Sequence, residues 1–207
     1  MIETKDRSGW FGASDTDYII GNWSTKSLTN WWLIKLGVHR SNFENLSMNA
    51  GTHKEHQILD YIGVTETDKQ ILIPELRLRV NLDGNTLDTI HEVKTHSAEK
   101  EFKCPIKYKR QVWVQMYASK LRIAYIVAYG LTEADYKNYF LPIDKDRLSM
   151  IPVEYNEEFI VETYLPKLVY LADCLKRGVF PDINEFNDKK GEIECITEEF
   201  VQKKETS

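Results

Sequence analysis

Cysteine is scarce: Cys104, Cys174 and Cys195 are the only three in 207 residues, far apart and odd in number. They offer no basis for a disulfide framework or for a cysteine-ligated zinc or iron–sulfur cluster. The expected home is therefore the cytoplasm, where thiols stay reduced. No apolar run approaches the length of a membrane span, and no basic-then-apolar signal is visible. Internal repeats and low-complexity tracts are absent, and His53, His56, His91 and His96 lack the spacing of a zinc peptidase. An excess of positive charge is missing too, with 27 Lys and Arg against 32 Asp and Glu, a net charge of −5. From Asp182 onward 8 acids face 4 bases, so that tail carries −4 of it. Charge therefore neither supports nor excludes a nucleic-acid partner.

What is present is a globular composition, 42% hydrophobic and 12% aromatic. The length suits one domain over residues 1–181, followed by an acidic, mobile tail over 182–207. Ser14 or Asp15 is placed to cap a short helix. Apolar spacing predicts helices over Leu28–Leu36, Met48–Ile62, Tyr108–Leu121 and Phe159–Arg177, with Gly37, Gly63 and Gly178 as stops. Arg122–Gly130 reads as a strand rich in β-branched and aromatic residues, and Phe140–Ile143 as another. The order predicts an α/β protein with helices flanking a central mixed sheet.

Chemistry concentrates in Leu76–His96, LRLRVNLDGNTLDTIHEVKTH. The reading is a hairpin turning at Gly84-Asn85, with Asp83 beside the turn. Strand alternation puts Glu92 and Lys94 on one face and Val93 on the other. Two carboxylates and an ammonium together suit a hard divalent cation and a phosphodiester. The same spacing also arises as a solvated face with a cross-strand ion pair. Glu55, on the preceding helix, adds a third carboxylate if that helix packs beside the hairpin. Gln111 and Gln115 share a helix face with Tyr108 nearby, suited to binding phosphate or orienting the carboxylates. Lys100, Lys103, Lys107, Lys109 and Arg110 form a basic run that fits a phosphate backbone or a solvated face. Arg7 and Ser14 would suit a phosphate near a helix start.

Taken in order, GWFGASDTDYIIG, TNWWLIKLG, MNAGTHKEHQIL, NLDG with HEVKTH, and QVWVQMYASKLRIAYIVAYG resemble the YqaJ-type viral recombinase family. This is the phage lambda exonuclease-like group of the PD-(D/E)xK nuclease superfamily. The likeness spans Arg7 to about Gly130 and implies a restriction-endonuclease-like core. It implies that Asp83 and Glu92 bind metal with the Val93 carbonyl, that Lys94 is the catalytic lysine, and that Glu55 is the helical glutamate near the metals. Gln111 and Gln115 match the glutamine-rich helix, and Ser14 the loop serine near the DNA end. The sequence departs from the pattern at Trp113, where another glutamine is frequent, and at Leu82, where proline is common.

The implied activity is Mg2+- or Mn2+-dependent hydrolysis with two ions, digesting one strand 5′ to 3′ from a double-stranded end. The exposed strand would serve phage-type recombination with a single-strand annealing protein, and relatives form homo-oligomeric rings. The alternatives are a restriction-like or structure-specific endonuclease on the same core, or an inactive DNA-binding or assembly protein. A salt-bridge network around Asp83, Glu92 and Lys94 is the bland third reading.

Overall fold

The computed structural model describes residues 8–39 and 46–205. A 3-10 turn at Ala13–Asp15 leads to α1 (Thr16–Ile19) and α2 (Lys26–Lys35). There follow α3 (Leu46–Tyr61), β1 (Glu66–Ile73), β2 (Leu78–Asn85), β3 (Thr89–Ser97), α4 (Ile106–Ser119), β4 (Ile123–Leu131), α5 (Glu133–Lys137) and β5 (Leu148–Pro152). A π-helical turn at Phe159–Tyr164 runs into α6 (Leu165–Arg177), and α7 (Ile183–Asp188) and α8 (Lys190–Glu205) follow. The five strands lie in the order β1-β2-β3-β4-β5. The β2/β3 and β4/β5 pairs are antiparallel and β3/β4 is parallel, so the sheet is mixed and the protein α/β, as expected.

The chain divides into two compact units. Among the described residues one comprises 46–71 and 81–155, the other 8–39, 72–80 and 156–205. In the first, a parallel β3/β4 pair requires a crossover, and α4 is that crossover. Its Val112, Val114 and Met116 are buried. On the α3 side of the sheet, Ala50, Ile58 and Leu59 pack with Val93, Val127, Tyr129 and Leu131. Val93 thus faces α3, while its neighbours Glu92 and Lys94 meet residues of α4.

The second unit is built on aromatic packing. Phe11 lies 5.8 Å from Trp31 and 6.0 Å from Trp32, and Trp23 stacks on Tyr170 at 5.3 Å. Trp32 Nε1 donates to the Val179 carbonyl at 3.0 Å. The helix foreseen over Phe159–Arg177 forms, but its first six residues widen into the π turn. Pro166 has no N–H for the Glu162 carbonyl, and its ring crowds that position, so the i→i−4 ladder cannot pass through unbroken. Gly178, at φ +69°, ends α6 in the left-handed conformation that glycine adopts without a steric cost.

Three expectations differ from what is observed. The hairpin turns at Thr86–Asp88, where Thr86 N donates to the Thr89 carbonyl, and Gly84 and Asn85 belong to β2, opposite His91 and Ile90. Gly84 serves close packing: a Cβ there would lie 2.6 Å from Leu59 Cδ2 and 2.8 Å from Val64 Cγ1. Phe140–Ile143 is not a strand. Lys54 Nζ takes the Leu141 carbonyl at 2.5 Å, which holds this segment as a loop, and the last strand is Leu148–Pro152. The stretch after Pro181, read as a mobile tail, contains α7 and α8, with Ile193 and Thr197 buried. The Asp182 side chain caps α7 by accepting from Asn184 N at 2.8 Å.

Substituting Gly84→Ala forces a methyl against Leu59 and Val64 in a closed core, so the variant is expected to lose about 1–3 kcal/mol in urea unfolding. An unchanged midpoint would show that α3 is free to retreat.

Candidate active site

The residues gathered from α3, β2, β3 and α4 all lie within the first unit. The β2–β3 register runs through Gly84↔His91, and one residue further the side chain of Asp83 takes over. Its Oδ2 accepts the Val93 N–H at 2.9 Å, which fixes the half-buried carboxylate beside β3.

Glu92 is the pivot. It is 1% exposed, and three donors converge on it: Lys94 Nζ and Gln111 Nε2 on Oε1, the latter at 2.5 Å, and Gln115 Nε2 on Oε2 at 2.5 Å. Gln115 also donates to the Asn81 carbonyl at 3.3 Å. The four-residue spacing of Gln111 and Gln115 on α4 brings both amides to one carboxylate. Expected to contact DNA, Gln115 is instead fully buried and therefore out of reach of a nucleic acid. The amide has no solvent face because it satisfies an acid that would otherwise be stranded in the interior. Gln111 is partly buried and makes the same contact. Tyr108, one turn earlier, presents its ring 5.1 Å from Lys94 Nζ.

Electrostatics tie Glu55 to this group. Burial and the nearby Glu92 raise the Glu55 pKa to about 7. Burial, then Glu92 and Glu55, push Asp83 well above the usual carboxylate range, against the pull of Lys94 and the Val93 N–H. For Lys94 burial opposes the ammonium, but Glu92 and Asp83 outweigh it and the pKa is raised. Two partly buried carboxylates thus feel the buried Glu92 and share a single lysine with it. The deficit of positive charge, and the hard oxygen donors, fit a divalent cation of the Mg2+ type. Asp83, Glu92, the Val93 carbonyl and Glu55 are the groups expected to hold one, while the side-chain ligand atoms that gather within 4.8 Å among the described residues are those of Glu55, His56 and Asp68.

Two neighbours were not singled out from the sequence. Ligand atoms of Glu55, His56 and Asp68 lie within 4.8 Å of one another, and His56 Nε2 is 3.5 Å from Asp68 Oδ2. Asp68 carried no signal because β1 was not recognised as a strand. Ser14 is exposed on the 3-10 turn of the second unit. The buried Asp15 beside it accepts from Gly12 N at 2.7 Å, Trp31 Nε1 at 2.8 Å and Lys35 Nζ at 2.6 Å, which ties that turn to α2. Arg7 lies outside the described residues.

The raised carboxylates have a consequence for pH. A folded-state pKa above the unfolded one means the folded chain binds more protons, so stability falls as pH rises between the two. For Glu55 the window runs from its ordinary 4.5 to about 7. In chelator, the thermal midpoint is expected to decline from pH 5 towards pH 7.5, and Glu55→Gln to flatten part of that decline. A flat wild-type profile would contradict the assigned proximity of these acids.

No family model matches the sequence, and no curated protein is similar enough in sequence to match. Comparison with solved structures is informative. The alkaline exonuclease LHK-Exo in complex with dAMP superposes with a TM-score of 0.63 over 95% of both chains at 19% identity. A second structure of LHK-Exo, described as from Laribacter hongkongensis, gives 0.57 over 97% of this chain and 95% of that one at 18% identity. A phage-related exonuclease from Haemophilus somnus 129PT gives 0.56 over 80% and 92% at 12% identity. The chain therefore has the fold of these exonucleases, an α/β core of the restriction-endonuclease type.

Proposed function

We propose that this protein is a metal-dependent DNA exonuclease of the YqaJ-type, lambda exonuclease-like group. It would hydrolyse one strand from double-stranded ends, 5′ to 3′, and expose single strand for an annealing protein in recombination. The observation that carries the reading is the perturbation of Glu55, Asp83 and Lys94 by the buried Glu92 carboxylate, which two glutamines and the lysine hold in place. Carboxylates whose pKa values are raised by burial and by one another cluster at functional sites. The shared fold with LHK-Exo, a protein solved with dAMP, supports a nucleotide substrate.

Asp83, Glu92, the Val93 carbonyl and Glu55 would hold Mg2+ or Mn2+, with room in the donor set for two ions. Such a cation, when bound, polarises the scissile phosphate and acidifies the attacking water. The chain's own groups do the rest. Lys94 keeps its charge through Glu92 and Asp83 and offsets the negative charge that builds on the pentavalent phosphorus. Attack at phosphorus that expels the 3′ oxygen leaves a 5′-phosphate and a 3′-hydroxyl. Gln111 and Gln115 hold Glu92 in register, so the carboxylate keeps one orientation through the cycle. Glu55 and Asp83, protonated to an unusual extent without a cation, release protons when one arrives.

Linear DNA labelled at its ends, with and without a 5′-phosphate, is expected to be degraded in Mg2+ but not in chelator, while closed circles survive. Nicking or linearisation of circles would favour the endonuclease reading instead. Asp83→Ala, Glu92→Ala and Lys94→Ala are each expected to lower the rate at least ~100-fold with the fold retained by circular dichroism. Gln115→Leu touches no substrate in this reading. It is expected to weaken Mg2+ binding about 10- to 100-fold in titration calorimetry, and unchanged affinity would remove its orienting role.

A further inference from the structure

Beside Lys94 the first unit carries a run of rings that the reaction above does not use. His96, near the end of β3, lies 5.1 Å from Phe102 with planes inclined by 39°. Phe102, in the following loop, lies 6.3 Å from Tyr108 with planes 5° apart. All three are half-buried, neither sealed in the core nor free in solvent. Cations alternate with them: Lys94 Nζ stands 5.1 Å and Lys107 Nζ 5.2 Å from the Tyr108 ring, and Lys100 and Lys103 are exposed on the loop.

A core cluster would bury such rings and exclude lysines, and a solvated loop would not align two rings nearly parallel. Half-exposed rings, two of them nearly parallel, interleaved with ammonium groups match the way proteins hold unpaired nucleotides. Bases stack on the rings whatever their identity, and cations neutralise the adjoining phosphates. We propose that His96, Phe102 and Tyr108 form a stacking platform for unpaired nucleobases next to the cleavage site. The inference rests on the nuclease reading and deepens it: the strand meets the site as single-stranded DNA, gripped without base preference. Lys94 joins the two functions, since it faces Glu92 on one side and the Tyr108 ring on another.

The test separates base from backbone. Binding of a short fluorescent oligothymidylate and of an abasic oligonucleotide of equal length is measured by anisotropy in chelator at fixed salt. Wild type is expected to favour the base-bearing strand roughly 10-fold or more, the range of aromatic stacking. Phe102→Ala and His96→Ala should pull that ratio towards one and leave abasic binding unchanged. Phe102→Leu keeps apolar volume without a π face, and should behave like the alanine variant. Equal wild-type affinity for the two strands, or equal weakening of both by the variants, would overturn the platform. If the ratio is one while linear DNA is still degraded in Mg2+, the platform fails and the nuclease stands. If wild type neither binds nor degrades DNA, both fall.

Discussion

The arrangement around Glu92 is the constraint on which the rest of the first unit depends. A carboxylate 1% exposed is tolerable only if donors surround it, and Lys94, Gln111 and Gln115 do so. Two of those donors come from α4, which lies over β3 because a parallel β3/β4 pair needs a crossover helix there. The third comes from β3 itself, two residues on and therefore on the same face. Val93, between them, is committed to the opposite face, where it packs on α3 and draws the helix bearing Glu55 towards the sheet. One strand thus sets the chemistry with its even residues and the packing with its odd ones.

How far this was legible from the chain alone varies by element. The alternation of Glu92, Val93 and Lys94 was readable because strand periodicity is local. So were α2, α4, β4 and the stop at Gly178, whose signals lie within a few residues. Gly84-Asn85 misled because glycine permits both a turn and a close approach, and only the positions of Leu59 and Val64 decide between them. Strand β1 was missed because its residues, ETDKQILI, are mostly exposed and polar and lack a clean two-residue alternation. Asp68 and its contact with His56 went unseen with it. The π turn before Pro166 is a compromise between helix continuity and one missing donor, which composition does not display.

Gln115 marks a different limit. Its spacing from Gln111 correctly puts both on one face, but spacing cannot say whether that face meets solvent or a carboxylate. The buried acid on β3 decides it, and that acid is 23 positions away in the chain. A polar residue in a core helix is therefore as much a statement about its partner strand as about the helix.

Asp135 gives the contrast that separates structure from function in this unit. It too is fully buried, and burial alone would raise its pKa, yet it is lowered to about 2. The N–H and hydroxyl of Thr132 donate to it at 2.9 and 2.8 Å, and Arg147 Nη1 at 2.5 Å. These donors outweigh burial and favour the charged form, and Lys54 Nζ stands 3.4 Å from the other carboxylate oxygen. Glu55 and Asp83 face other carboxylates instead, and their pKa values rise. A chain able to surround Asp135 with cations and donors has the means to do the same for Glu55 and Asp83. That it leaves them facing like charge is what the proposed cation site requires, the missing positive charge being supplied from solution. A cation bound there by the folded chain and not by the unfolded one would also stabilise the fold by mass action, so the frustration of the empty site and the stability of a loaded one would be two sides of a single equilibrium.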